Sequence, residues 1–171
     1  MNDQEKASMI RVNQAGEYGA ARIYAGQLAV MGNRTPAAGS IRHMAAQEQR
    51  HLDLFNVMIA KRGVRPTLLH PLWHVAGYAL GAASAIVGPE AAMACTVAIE
   101  TEIDRHYGEQ LEQLGNTDPE LSAAISDFQA EEVEHKATAL AQGAERAPAY
   151  PLMSAIIGLG CRAAIMLTKR I

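Results

Sequence analysis

The sequence predicts an all-α fold: four long helices packed as a bundle, an apolar crossover helix between the second and third, and an apolar C-terminal helix. Three observations predict it. Capping residues divide the chain into helix-length segments. Nothing alternates at period two for long enough to make a strand. A pair of helical segments occurs twice. The composition agrees, because Ala and Met are abundant and β-branched runs are scarce. Of the 171 residues, 49% are hydrophobic and 19% charged, which suits one domain with a real core and excludes a disordered chain. Residues 1–171 are therefore expected to form a single helical-bundle domain. A formal net charge of −3, without a long basic run, argues against a nucleic-acid partner. Cys95 and Cys161 lie far apart, which excludes a disulfide scaffold, a zinc ribbon and a rubredoxin-type centre.

Each element has its own punctuation. Asn2 with Glu5 reads as a capping box and Gly32-Asn33 as a stop, giving a first helix over roughly 3–31. Thr35-Pro36 opens the second, which runs to about Arg62 before Gly63 and Pro66. Gly88-Pro89-Glu90 opens the third long helix, which stops at Gly115-Asn116; Asp118-Pro119 opens the fourth, which ends near Gly143. After Pro148 and Pro151 a last helix covers 152–171. From Pro71 to Ile99 the only formally charged residue is Glu90, but Gly88-Pro89 breaks this stretch and leaves 71–87 at the lower limit for a membrane span. That piece reads as a helix lying in a membrane interface, with a buried crossover as the alternative. Lys61, Arg62 and Arg65 precede it and Lys169-Arg170 end the last helix, as suits an anionic lipid surface. Residues 1–6 are polar and acidic, so neither a secretory signal nor a transit peptide is expected, and the chain reads as a cytoplasmic product of bacterial type.

The duplication carries the chemistry. EYGAARIYAGQL (17–28) and ETEIDRHYGEQL (100–111) share five identities at an offset of 83: Glu17 with Glu100, Arg22 with Arg105, Tyr24 with Tyr107, Gln27 with Gln110, and Leu28 with Leu111. At an offset of 84, Glu48-x-x-His51 matches Glu132-x-x-His135. Helical spacing puts these residues on apolar stripes. Glu48 and His51 fall among Ile41, Met44, Ala45, Leu52, Phe55, Met58 and Ile59. Glu132 and His135 fall among Leu121, Ile125, Phe128 and Leu140. Glu100 lies with Met93, Val97, Ile103, Tyr107 and Leu114, and Glu17 with Ile10, Asn13, Ala21, Tyr24 and Leu28.

Four carboxylates and two imidazoles thus point into the core with no Lys or Arg on the stripes. A buried, uncompensated carboxylate costs several kcal/mol as an order of magnitude, and four together also repel. Two divalent cations resolve this. A Glu from each of two helices and a Glu-x-x-His from each of the other two is the donor set of dinuclear carboxylate centres. Oxygen-rich ligation with one imidazole per ion suits iron or manganese better than zinc or copper, and open positions imply reaction with oxygen species.

Glu131 and Glu134 point off the stripe and read as a solvated face. Tyr24 and Tyr107 read as core packing with a hydroxyl near the metals. His106 is open between a structural role and one that supports the ligands. Arg22 and Arg105 read as interhelical or surface groups, Cys95 and Cys161 as small core hydrophobes, and Met44, Met58, Met93 and Met153 as core fillers.

NQAGEYGA (13–20), EQRH (48–51), ACTVAIETEI with HYGEQL (94–111), EEVEH (131–135) and GCRAAIMLTKR (160–170) resemble the demethoxyubiquinone hydroxylase family of ubiquinone biosynthesis, over nearly the whole chain. The resemblance implies a ferritin-like bundle. It implies two Fe ions held by Glu17, Glu48, His51, Glu100, Glu132 and His135, with Glu48 and Glu132 bridging. The activity implied is O2-dependent monooxygenation of a polyprenylated demethoxyubiquinol ring. The chain shows no flavin, haem or nicotinamide motif, so electrons come from the quinol or an outside donor. Substrate is expected to arrive from the bilayer through a gap between the crossover and C-terminal helices. The protein would be peripheral on the cytoplasmic side of the cell membrane, with room for an accessory lipid-binding protein as a partner. The rival is a ferritin-type iron-binding or ferroxidase protein; it shares the ligands but needs no long apolar segment between the halves. A manganese peroxidase or catalase on the same bundle is a second rival. If four of the 18 acids are ligands, the remaining 14 face 15 bases, and the acidic excess belongs to the metal site.

Overall fold

The computed structural model describes residues 1–33 and 35–170. It contains α1 (Asp3–Met31), α2 (Pro36–Arg62), α3 (His70–Val87), α4 (Pro89–Leu114), α5 (Pro119–Ala141) and α6 (Tyr150–Thr168), with a short 3-10 turn at Ala144–Arg146 and no strand among the described residues. The punctuation acts as the sequence predicts. Asn2 Oδ1 accepts from the Glu5 N–H at 2.9 Å while Glu5 accepts from the Asn2 N–H at 2.8 Å. Thr35 caps α2 at Ala38 N–H, and Asp118 caps α5 at Leu121 N–H. Gly63 ends α2 at φ 61°, in the left-handed region open to glycine. The last helix begins at Tyr150, earlier than expected, and ends at Thr168, before Lys169 and Arg170; Ile171 lies outside the described residues.

The two hairpins, α1–α2 and α4–α5, build the bundle; α3 lies along α1 and α6 along α4. Glycines decide how closely α3 approaches. A Cβ at Gly81 would fall on the Ile23 carbonyl, and one at Gly26 on the Tyr78 carbonyl, so the two backbones touch there. The core has three apolar clusters: one, with Ile23, Cys95, Ala98, Ile99 and Ile157, lies toward α6, and the other two flank the expected acids. Of these two, the first includes Tyr24, Ile41, Met44, Met93 and Ala139. The second includes Ile10, Phe55, Tyr107, Ile125 and Phe128. On every bundle helix the expected acid lies between a residue of the first cluster and one of the second: Glu17 between Ile10 and Tyr24, Glu48 between Met44 and Phe55, Glu100 between Met93 and Tyr107, Glu132 between Phe128 and Ala139.

One expectation is corrected, the buried alternative for the crossover helix is set aside, and the reading of the basic cluster is narrowed. Leu140, assigned to the inward stripe, is exposed, and Ala139 is buried instead. The run 128, 132, 135, 139 keeps helical spacing, whereas 140 is five residues past His135 and points away. The crossover helix is not buried. It seats Gly81, Ser84 and Ala85 on the bundle and leaves Leu72, Val75, Ile86 and Val87 exposed, Ile86 by 73%. The basic cluster before it is largely occupied. Lys61 pairs with Glu120 at 2.8 Å, and Arg62 pairs with Asp118 and Glu120, tying the end of α2 to the start of α5. The C-terminal helix fits the interface reading better: α6 is long and apolar enough to cross a membrane, and only 17% of its apolar window is buried. Leu152, Ile156 and Leu159 face outward.

Candidate metal centre

Glu17, Glu48, His51, Glu100, Glu132 and His135 are all buried, and the fold gathers them into one cluster. They form two overlapping groups that share Glu48 and Glu132. One adds Glu17 and His51, the other Glu100 and His135, and the donor atoms of each group lie within 4.8 Å of one another. His51 Nδ1 sits 3.3 Å from both Glu17 Oε2 and Glu132 Oε1. His135 Nδ1 sits 3.1 Å from Glu132 Oε2, 3.3 Å from Glu48 Oε1 and 3.9 Å from Glu100 Oε1. Six of these buried donors have no hydrogen-bond partner: Glu17 Oε2, both oxygens of Glu48, His51 Nδ1, Glu100 Oε2 and Glu132 Oε1. Buried polar atoms are ordinarily paired, so a cluster of orphaned oxygens and an imidazole nitrogen fits metal ions as their missing partners.

The electrostatics agree. Burial and then the facing carboxylates push Glu48 well above the usual carboxylate range, and burial followed by Glu132 does the same to Glu100. Burial also opposes ionisation of Glu132, but His135, hydrogen-bonded to it, and the neighbouring His51 outweigh that and hold the carboxyl down at about 2. His51 is pushed up to about 10, because Glu132 and Glu17 overcome the burial that disfavours its charge. Cations bound there would displace the protons that burial leaves on Glu48 and Glu100.

The two tyrosines cross between halves. Tyr24 donates to Glu100 Oε1 at 2.6 Å and Tyr107 donates to Glu17 Oε1. Burial, then Glu100 for Tyr24 and Glu17 for Tyr107, pushes both phenols well up, so they remain donors. Each leaves the other carboxylate oxygen of its partner free.

Glu131 is not the solvated residue expected from its helical position. It is half-buried and accepts from Arg50, from Gln47 Nε2 at 3.0 Å, and from His51 Nε2 at 3.0 Å. Burial works against its charge, and the Arg50 and His51 bonds still hold it below the usual range. His135 Nε2 meets Gln47 Oε1 at 3.1 Å. The signal was in the repeat, since Gln47 and Glu131 are also 84 apart and each immediately precedes a Glu-x-x-His. Glu134 is exposed, as expected.

The other candidates lie apart from the cluster. His106 is buried beside Gln110 at 2.8 Å, and burial, with Lys169 and Arg105, pushes it down to about 4. Gln110 and Asn13 exchange two 2.8 Å bonds between α4 and α1. Arg22 sits over the Tyr78 ring, and Arg105 pairs with Glu102 and Glu109 near the surface. Burial pushes the Cys95 and Cys161 thiols up to about 12, as suits small apolar residues. Met44, Met58 and Met93 are buried fillers, and Met153 is partly buried.

A cavity of about 430 Å³ lies among α1, α3, α4 and α6, lined almost entirely by apolar groups, including Ile23, Trp73, Ile103, Ile157 and Cys161. Gly16 and Ala20 line it on either side of Glu17 in the chain, and Ile99 and Ile103 on either side of Glu100. It occupies the gap expected between the crossover and C-terminal helices.

The family described as ubiquinone biosynthesis protein COQ7 matches residues 4–168. The 3-demethoxyubiquinol 3-hydroxylase of Rhodospirillum rubrum is 52% identical over 162 residues, covering 95% of this chain and 76% of that protein. The human NADPH-dependent 3-demethoxyubiquinone 3-hydroxylase, mitochondrial, is 50% identical over 167 residues with the same coverage of each. The Saccharomyces cerevisiae 5-demethoxyubiquinone hydroxylase, mitochondrial, is 41% identical over 179 residues, covering 95% of this chain and 77% of that protein.

Proposed function

This chain belongs to the COQ7 family of ubiquinone biosynthesis proteins, and from that premise we propose that it hydroxylates the ring of a polyprenylated demethoxyubiquinol, using O2 and two iron ions. The ions would be held by Glu17, Glu48, His51, Glu100, Glu132 and His135. The observation that carries the reading is the cluster of six orphaned donor atoms, with an apolar cavity lined by chain neighbours of Glu17 and Glu100. An oxygen-rich set with one imidazole per ion favours iron. Bound there, the two ions supply the O2-reducing chemistry.

The chain's own residues do the rest. Glu48 and Glu132, common to both groups, would hold both ions. Glu17 with His51 would hold one ion and Glu100 with His135 the other. Tyr107 and Tyr24 hold one oxygen of Glu17 and Glu100 and leave the other for metal. The apolar cavity seats the quinol ring and excludes water, and its position between α3 and α6 lets a prenyl tail leave toward lipid. The exposed apolar faces of α3 and α6 rest on the membrane, making the protein peripheral. In the reaction a ring C–H becomes C–OH, and the second oxygen atom of O2 leaves as water with two electrons and two protons from outside. Human and mouse relatives are named NADPH-dependent, which supports a reduced nicotinamide nucleotide as the donor.

Complementation tests this. Wild type is expected to restore ubiquinone in a strain that accumulates demethoxyubiquinone, and Glu48→Ala and His51→Ala are expected to fail. Failure of the wild type overturns the reaction; success of the variants overturns the site. A soluble multi-subunit cage that mineralises iron would favour the ferroxidase alternative.

A further inference from the structure

The outer sides of the two buried histidines differ. His51 Nε2 meets a carboxylate, Glu131 Oε2, at 3.0 Å; His135 Nε2 meets an amide oxygen, Gln47 Oε1, at 3.1 Å. Gln47 Nε2 also donates to Glu131 Oε2 at 3.0 Å, so His51, Glu131, Gln47 and His135 form one continuous chain behind the cluster. The repeat makes the contrast pointed. Gln47 and Glu131 hold equivalent positions, and so do Arg50 and Glu134, all 84 apart. Arg50 supplies the counter-charge for Glu131, whereas Glu134 is exposed and of the wrong sign to do the same behind Gln47.

A carboxylate that accepts an imidazole N–H makes the opposite ring nitrogen a stronger donor than an amide oxygen does. We infer that Glu131 makes the Glu17–His51 position the tighter of the two metal positions and the first to fill, while Gln47 leaves the Glu100–His135 position weaker. Glu131 and Gln47 are positioning residues that act through the histidines. The inference rests on the two-metal reading above.

Zn(II) titration of the metal-free full chain, followed by nitrogen NMR of histidine rings assigned with His51→Gln and His135→Gln, tests it. The His51 ring is expected to shift with the first equivalent and His135 with the second, the two affinities differing by about tenfold or more. Glu131→Gln is expected to weaken binding at the His51 ring by about 10–100-fold, so that the two rings shift together or His135 shifts first. The charge-conserving double variant Gln47→Glu/Glu131→Gln moves the carboxylate behind His135 and is expected to reverse the order, which a merely structural role would not do. Simultaneous filling, His135 filling first in the wild type, or an order indifferent to the double variant overturns the inference and leaves the two-metal reading intact. A chain in which neither ring responds to Zn(II) or to Fe(II) overturns both.

Discussion

The hairpins α1–α2 and α4–α5 match where they face the cluster and diverge where they face outward. Inward, Glu17 and Glu100, Tyr24 and Tyr107, and the two Glu-x-x-His pairs are equivalent, and each tyrosine serves the other hairpin's acid. Outward, Gly26 of α1 lies against α3, while its counterpart at an offset of 83, Glu109, is exposed and pairs with Arg105. A buried cluster of four acids needs balanced partners from both sides. An outer surface that carries an apolar helix on one hairpin and solvent at the equivalent position of the other has no such constraint. The repeat was kept where electrostatics demand it and spent elsewhere on docking α3, lining a cavity and distinguishing the two histidines.

The largest effect should come from breaking what the halves share. Glu48→Ala or Glu132→Ala is expected to remove both metal ions and take hydroxylation to background. Glu17→Ala or Glu100→Ala should also stop turnover but retain about one ion, as read by metal analysis. Equal metal loss in all four variants would break the division into shared and private acids.

Next come the crossed tyrosines. Tyr24→Phe and Tyr107→Phe should each cost about 1.5–3 kcal/mol in denaturant unfolding of the metal-loaded protein, the range for hydrogen bonds to charged groups. Similar costs sharpen the inward symmetry, and a cost confined to one variant breaks it. Outward, Gly26→Ala should cost about 1–3 kcal/mol, because its Cβ meets the α3 backbone. Glu109→Ala should stay within about 0.5 kcal/mol in thermal melts.

A modest, pH-dependent effect lies at the tie between α2 and α5. The Arg62 guanidinium beside Asp118 holds that carboxyl below its ordinary 3.8. Its stabilisation is therefore complete above that value and lost as pH falls through the lowered one. Arg62→Ala should remove about 0.5–1 kcal/mol at neutral pH and abolish that acid-dependent part, measured as stability against pH.

Much of the candidate site was legible because it is repetitive and helical. A Glu-x-x-His on an apolar stripe has one physical reading once it occurs twice, and the helical period alone places the residues. Glu131 was misread because a helical wheel describes one helix: it points off its own stripe, yet the space it enters is filled by Arg50 and His51 of α2. Lys61 and Arg62 were read as lipid-facing for the same reason, before Asp118 and Glu120 came alongside.

The sequence by itself determined the helices and most of their ends and the inward direction of four acids and two imidazoles, from which the proposal of cations among them follows. Caps, periodicity and the cost of buried charge are local or pairwise properties that a linear pattern carries. Tertiary structure alone decided that each tyrosine reaches the opposite acid and that Gly26 and Gly81 let α3 lie against α1. It also decided that the cavity forms along chain neighbours of Glu17 and Glu100 and that the two histidines have unlike outer partners. Those depend on which helix lies against which, and at what depth, and no single helix encodes that.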